Sequence, residues 1–156
     1  MLNHKNLVGR CGVYCGACEI YRAYKDKGKL LLEVTKKYNC LPADVHCDGC
    51  GVLPMNGWAR AAGWGRDCEI RKCLHRRGFE YCYDCNEISA CRRWNELAEE
   101  CQASGIDLRA NLLAIRDGHF EEWIEKQSER WSCQKCGKPV HASEESRCHA
   151  CGAYQL

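Results

Sequence analysis

The chain has 156 residues, 16 of them cysteine, a formal charge of +2 and a mean hydropathy of −0.53. With only two Phe and two Met, a conventional apolar core would be thin, so an ordinary unstapled globule is excluded and a further cross-link is expected. No run approaches the about 20 apolar residues that a membrane-spanning helix needs, which excludes that class as well. Residues 1–10 lack the apolar core of a secretory signal. The expected setting is therefore cytoplasmic, where thiols stay reduced and dense cysteine patterns mean metal rather than disulfide.

In chain order, Ile20, Tyr21 and Tyr24 begin a helical stripe that pauses at Gly28. It resumes through Leu30, Leu31, Val34 and Tyr38, and Cys40-Leu41-Pro42 ends it. A loop with Gly51, Gly57, Gly63 and Gly65 follows, carrying Trp58 and Trp64, whose indoles are expected to cover metal sites. Residues 68–77 read as a short helix closed by Gly78. Residues 87–104 read as a longer one, with a buried stripe of Ile88, Cys91, Trp94, Leu97, Ala98 and Cys101, stopped by Gly105. Asp107 can cap a helix bearing Leu108, Leu112 and Ile115, and Gly118 separates it from another bearing Phe120, Trp123, Ile124 and Gln127. The turn-rich end should form short strands. The fold class is thus mostly α: a cysteine-rich, metal-stapled domain over 1–105, a helical connector over 106–130 and a zinc ribbon with short β-strands over 131–156.

Five pairs are spaced Cys-x-x-Cys: Cys15/Cys18, Cys47/Cys50, Cys82/Cys85, Cys133/Cys136 and Cys148/Cys151. A two-residue gap lets one tight turn aim two thiolates at a single ion. The last two pairs each carry a glycine directly after the second cysteine, Gly137 and Gly152, which is the zinc-ribbon pattern. That glycine lets the chain turn at positive φ so that backbone N–H groups reach the sulfurs. Four thiolates with no spare position make a closed, structural site. His141 and His149 read as surface residues beside it.

Twelve cysteines precede residue 105. Cys11, Cys15, Cys18, Cys47, Cys50, Cys68, Cys73, Cys82, Cys85 and Cys91 are the ligand candidates, while Cys40 and Cys101 read as packing residues. Cys47-Asp48-Gly49-Cys50-Gly51 has the trailing glycine of a knuckle, and Asn86 after Cys85 tolerates the same left-handed turn. Ten ligands do not divide into four-ligand sites, so a third, mixed site with His46 or His75 stays open, as does the grouping. Zinc is the preferred metal, and an iron–sulfur cluster within residues 11–91 is the alternative. Each divalent ion on four thiolates adds about −2, so three sites would take the chain to about −4. That weakens any case for nucleic acid, and another protein is the expected partner. Arg71, Lys72, Arg76 and Arg77 on the 68–77 helix read first as a solvated face.

The run Cys11-Gly-Val-Tyr-Cys-Gly-Ala-Cys, then Cys47-Asp-Gly-Cys50, Cys68-Glu-Ile-Arg-Lys-Cys73, Cys82-Tyr-Asp-Cys85 and Cys91 resembles the prokaryotic cysteine-rich family known as domain of unknown function 3795. The resemblance spans roughly residues 8–105. It departs at Ile88-Ser89-Ala90, where the family often has Phe-Pro, which weakens Cys91 as a ligand. It implies metal binding in bacteria or archaea, often anaerobic ones, and brings no reaction. The spacing of Cys11, Cys15 and Cys18 also matches radical S-adenosylmethionine enzymes, but the repeated βα pattern of their barrel is missing. The functional expectation is a non-catalytic zinc-binding module or accessory subunit, with an iron–sulfur redox accessory protein as the alternative.

Overall fold

A computed structural model describes residues 4–51, 68–143 and 147–153. Among these residues lie six α-helices: α1 (Glu19–Asp26), α2 (Gly28–Tyr38), α3 (Glu69–Arg77), α4 (Arg92–Ala103), α5 (Leu108–Arg116) and α6 (Phe120–Arg130). Short 3-10 turns at Cys15–Ala17, Cys82–Asp84 and Ile88–Ala90 precede the helices or link them. Extended pairing among the described residues includes two antiparallel bridges, Val8 with Tyr14 and Ser132 with Pro139. The short strands expected in the ribbon are thus minimal among the described residues.

Local chemistry accounts for most helix limits. The stripe through Gly28 is two helices because Lys27 and Gly28 both take φ 58°, which no continuous helix accommodates. Asn39 ends α2 and Gly78 ends α3 in the left-handed conformation. Asp107 caps α5 by accepting a 3.0 Å hydrogen bond from the Ala110 N–H. The expected helix over 87–104 starts later, at Arg92, because Cys91 is extended at its N-cap and Ile88–Ala90 form a separate 3-10 turn.

Three apolar clusters and one small satellite hold these elements. Ile20, Ala23, Leu30, Val34 and Val45 join α1 to α2 and the following loop. Ile70, Leu74, Trp94, Leu108 and Leu112 join α3, α4 and α5. Val8, Tyr14, Ile115, Trp123 and Ile124 join the N-terminal segment to α5 and α6. The satellite is the ribbon, where Cys133, Val140 and Cys148 are the buried residues.

Two long-range polar tethers run to the first cysteine loop. Trp94, 1% exposed, donates its indole N–H to the Cys11 carbonyl at 3.0 Å. Asn111, also buried, donates to the Gly12 carbonyl at 2.9 Å and accepts the Trp123 indole N–H at 3.0 Å. Buried polar groups are kept only when paired, and here the pairing clamps the loop onto α4, α5 and α6. The ribbon docks on the same body: the Ala142 N–H donates to the Ala17 carbonyl at 2.8 Å.

Candidate metal centres

The ribbon begins where α6 ends. Cys133 N–H pairs with the Lys138 carbonyl and Cys148 N–H with the Ala153 carbonyl, each at 2.9 Å, so each knuckle closes on itself. Gly137 and Gly152 take φ 71° and 74°, the conformation that the trailing glycines predict. The Lys135 and Cys136 amides point at Cys133 Sγ from 3.4 and 3.5 Å. The Cys136 amide leads in holding the Cys133 thiol down to about 6, so it is a thiolate at neutral pH. Cys133 and Cys151 sulfurs lie 3.7 Å apart, and those of Cys136 and Cys148 lie 3.8 Å apart. A tetrahedral ion with metal–sulfur bonds of about 2.3 Å sets its sulfurs about 3.8 Å apart. Among the described residues, this quartet is the group of three or more ligand-type side chains whose atoms all lie within 4.8 Å of one another.

His141 and His149 are not free surface residues. The His149 side chain is 9% exposed and its Nε2 lies 2.8 Å from Asp26 Oδ2 at the end of α1. His141 Nδ1 is 3.4 Å from His149 Nδ1, and burial keeps the His141 ring below its usual pKa. The pair fastens the ribbon to α1 through an acidic residue 123 positions away in sequence.

The N-terminal cysteines occupy a shared scheme. Cys15–Ala17 and Cys82–Asp84 are single 3-10 turns, closed by the Cys18 amide on the Cys15 carbonyl at 3.0 Å and the Cys85 amide on the Cys82 carbonyl at 3.2 Å. Side chains three apart eclipse in a 3-10 turn, so each pair of thiols faces one side. Cys18, Cys68 and Cys91 are the N-caps of α1, α3 and α4, at the helix ends whose dipoles favour negative charge.

These cysteines collect around two places. Cys15, Cys18, Cys47 and Cys50 form the first set: the Cys50 amide donates to Cys15 Sγ at 3.3 Å. A hydrogen bond with Cys50, then burial, raises the Cys15 thiol, whereas the Cys15 hydrogen bond, helped by Arg71 and Arg10, lowers Cys50. Burial, with neighbouring thiols adding to it, pushes Cys18 up to about 11 and Cys47 up to about 12. Cys11 is raised by burial and by the nearby Cys50, Cys82 and Cys68, so it sits between the sets. Cys73, Cys82, Cys85 and Cys91 form the second set, lining one cavity of about 540 Å³. Burial pushes Cys82 up to about 12, and Cys91, Cys73, Cys68 and Cys85 reinforce it.

The glycine reading needs amendment in this half. Positive φ in the Cys47/Cys50 knuckle falls on Gly49 at 98° and not on Gly51. Gly51 is needed for close approach instead: a Cβ there would lie 2.1 Å from the Lys5 carbonyl oxygen. Asn86 does not take the left-handed conformation either, because the 3-10 turn already reverses the chain after Cys82. His46 is engaged with Asp48 at 2.8 Å and stacks on Tyr24 at 4.4 Å, while His75 is exposed. Cys40 packs against the first cluster and Cys101 against the second, where burial raises Cys101 to about 11. Trp58 and Trp64 lie outside the described residues.

Several contributors carried no readable signal in the sequence. Arg77 Nη1 donates to Cys85 Sγ at 3.2 Å while its Nη2 pairs with Glu87 at 2.8 Å. Trp94 and Asn111 looked like ordinary helix residues, yet they hold the Cys11–Gly12 backbone. No helix among the described residues is long and apolar enough to cross a membrane.

The fold and these sites define a mostly helical, cysteine-rich protein with a C-terminal four-cysteine group able to hold a metal ion. The chain belongs to the family described as protein of unknown function (DUF3795), whose family model matches residues 7–96. No curated protein and no solved structure matches it.

Proposed function

We propose that this protein is a non-catalytic, metal-binding module or accessory subunit whose ribbon holds one structural zinc ion on Cys133, Cys136, Cys148 and Cys151. The observation that supports it most is the sulfur spacing of 3.7 and 3.8 Å, the edge lengths of a zinc–thiolate tetrahedron. All four positions around such an ion are filled by protein, which leaves no place for a substrate or an activated water. The set of Cys15, Cys18, Cys47 and Cys50 is assigned as a second thiolate site for metal. A reduced compartment, the cytoplasm, suits sixteen cysteines with no disulfide among them. The partner is expected to be another protein, since metal–thiolate charge makes the chain net acidic.

Elemental analysis of the purified chain tests this. One zinc per chain should vanish in Cys148→Ser while metal elsewhere persists. A wild-type ribbon that folds with no zinc would overturn the reading. A redox accessory role, the second reading, is favoured by one specific feature, the cavity of the second cysteine set.

A further inference from the structure

Four cysteines from three elements converge on the cavity of about 540 Å³. Cys73 comes from the middle of α3, Cys82 and Cys85 from the 3-10 turn and its cap, and Cys91 from the N-cap of α4. Their arrangement differs from the ribbon's. Among the described residues, no three of these four thiols share the mutual 4.8 Å spacing that the ribbon quartet has. A single tetrahedral ion would require sulfurs about 3.8 Å apart. The half-open cleft they line is also far larger than one ion fills, since even a water molecule takes only about 30 Å³. Four thiolates held apart around a roomy cavity are the ligand set of a cubane cluster, which places inorganic sulfide between the irons and so spreads its cysteine ligands.

We infer that this cavity holds a [4Fe–4S] cluster ligated by Cys73, Cys82, Cys85 and Cys91. The inference rests on the metal-binding reading and deepens it for one site. The surroundings fit such an anionic group. Arg77 donates to Cys85 Sγ at 3.2 Å, Arg93 lines the cavity, and the N-terminus of the 12-residue helix α4 stands directly behind Cys91. Hydrogen bonds and positive charge beside the sulfurs are the means by which a protein tunes such a cluster. Leu74, Phe79, Ile88 and Trp94 give the wall its apolar part, and Glu87, paired with Arg77, also lines it. Cys68 and Cys11 stay outside the cavity lining and are not assigned to it.

The test uses the full chain, purified anaerobically and reconstituted with ferrous iron and sulfide. The expected result is brown protein with about four irons and four acid-labile sulfides per chain, alongside the ribbon zinc. Cys85→Ser and Cys73→Ala should each lose most of the iron and sulfide and keep the ribbon zinc, with helical content by circular dichroism unchanged. Iron-edge X-ray absorption of the wild type should show sulfur ligands and short iron–iron distances. Colourless protein with zinc in place of iron overturns the cluster and leaves the metal-binding reading standing. Protein that takes up no metal at all overturns both. Full iron retention in Cys85→Ser and Cys73→Ala overturns the ligand assignment.

Discussion

The ribbon and the second cysteine set are built from the same local device, a Cys-x-x-Cys turn, yet they end in different geometries. In the ribbon, two knuckles face each other over a small cluster in which, among the described residues, Val140 is the one buried aliphatic residue. Burying a valine contributes about 1.5–3 kcal/mol. Ordering even ten residues of backbone costs about 10–20 kcal/mol. On the proposed reading, an ion held by sulfurs 3.7 to 3.8 Å apart makes up the difference. The second set sits instead inside a frame of α3, α4 and α5 that has its own apolar cluster, so its thiols stand open around a cavity. What separates the two is therefore the support behind the turn. On the proposed reading, a bound ion holds the ligands together where the scaffold is thin, and the helices set their spacing where it is rigid.

The contrast is broken most directly in the ribbon. Structural zinc sites of this kind contribute about 10–16 kcal/mol. Cys148→Ser should therefore abolish ribbon zinc and amide-exchange protection over residues 131–153, while the N-terminal helices keep theirs. A Cys148→Ser chain with a fully protected ribbon would contradict the comparison.

Acidification sharpens it next. Cys18 and Cys47, pushed up to about 11 and about 12 chiefly by burial, are protonated at neutral pH and must each release a proton to bind metal. Each such thiol weakens binding about tenfold per unit fall in pH. In the ribbon, Cys133 is held down to about 6 and adds no slope above pH 7. Cys136, despite the backbone hydrogen bond with Lys138 that lowers it, is pushed up to about 11 by burial and by hydrogen bonds with Cys133, Cys151 and Cys148, and must release a proton too. Between pH 8.5 and 7, chelator competition should show affinity falling at least about tenfold per pH unit at both sites. An affinity that does not change with pH at either site would contradict that.

A smaller effect is expected from the frame. Asn111→Ala leaves the Gly12 carbonyl and the Trp123 indole without their buried partner, which costs about 1–3 kcal/mol per group left unpaired. Thermal melts should show the N-terminal half destabilised with ribbon zinc stoichiometry intact. Loss of ribbon zinc in that variant would mean the two regions are not independently supported. Cys101→Ala should do least: its half-buried thiol packs beside Leu97 and Ala98, so metal content should not change and stability should fall by about 1 kcal/mol at most. Metal loss there would make Cys101 a ligand.

The helices were legible because their signals are local. Ile20, Leu30, Val34, Leu108, Leu112 and Ile115 recur at helical spacing, and Asp107 and Gly78 stand at the ends. The ribbon quartet was legible for the same reason, since its two knuckles and their glycines lie within one short segment. The boundary at Arg92 was missed because Cys91 has the extended backbone of a cap, and nothing in Ile88-Ser89-Ala90 marks a break. The grouping of the ten N-terminal cysteines was not legible at all. It depends on packing across long stretches of chain, such as the Trp94 bond to Cys11 over 83 residues. The histidines were misread for a related reason: the partner of His149 is Asp26, far away at the end of α1.

Amide hydrogen exchange on the intact, reduced chain, before and after metal is stripped with a chelator, bears most directly on whether ions held by sulfur organise this fold. Stripping should erase protection in the ribbon and in the loops carrying Cys11 to Cys18, Cys47 to Cys50 and Cys82 to Cys91. An unchanged protection map in a chain shown to be metal-free would contradict the account.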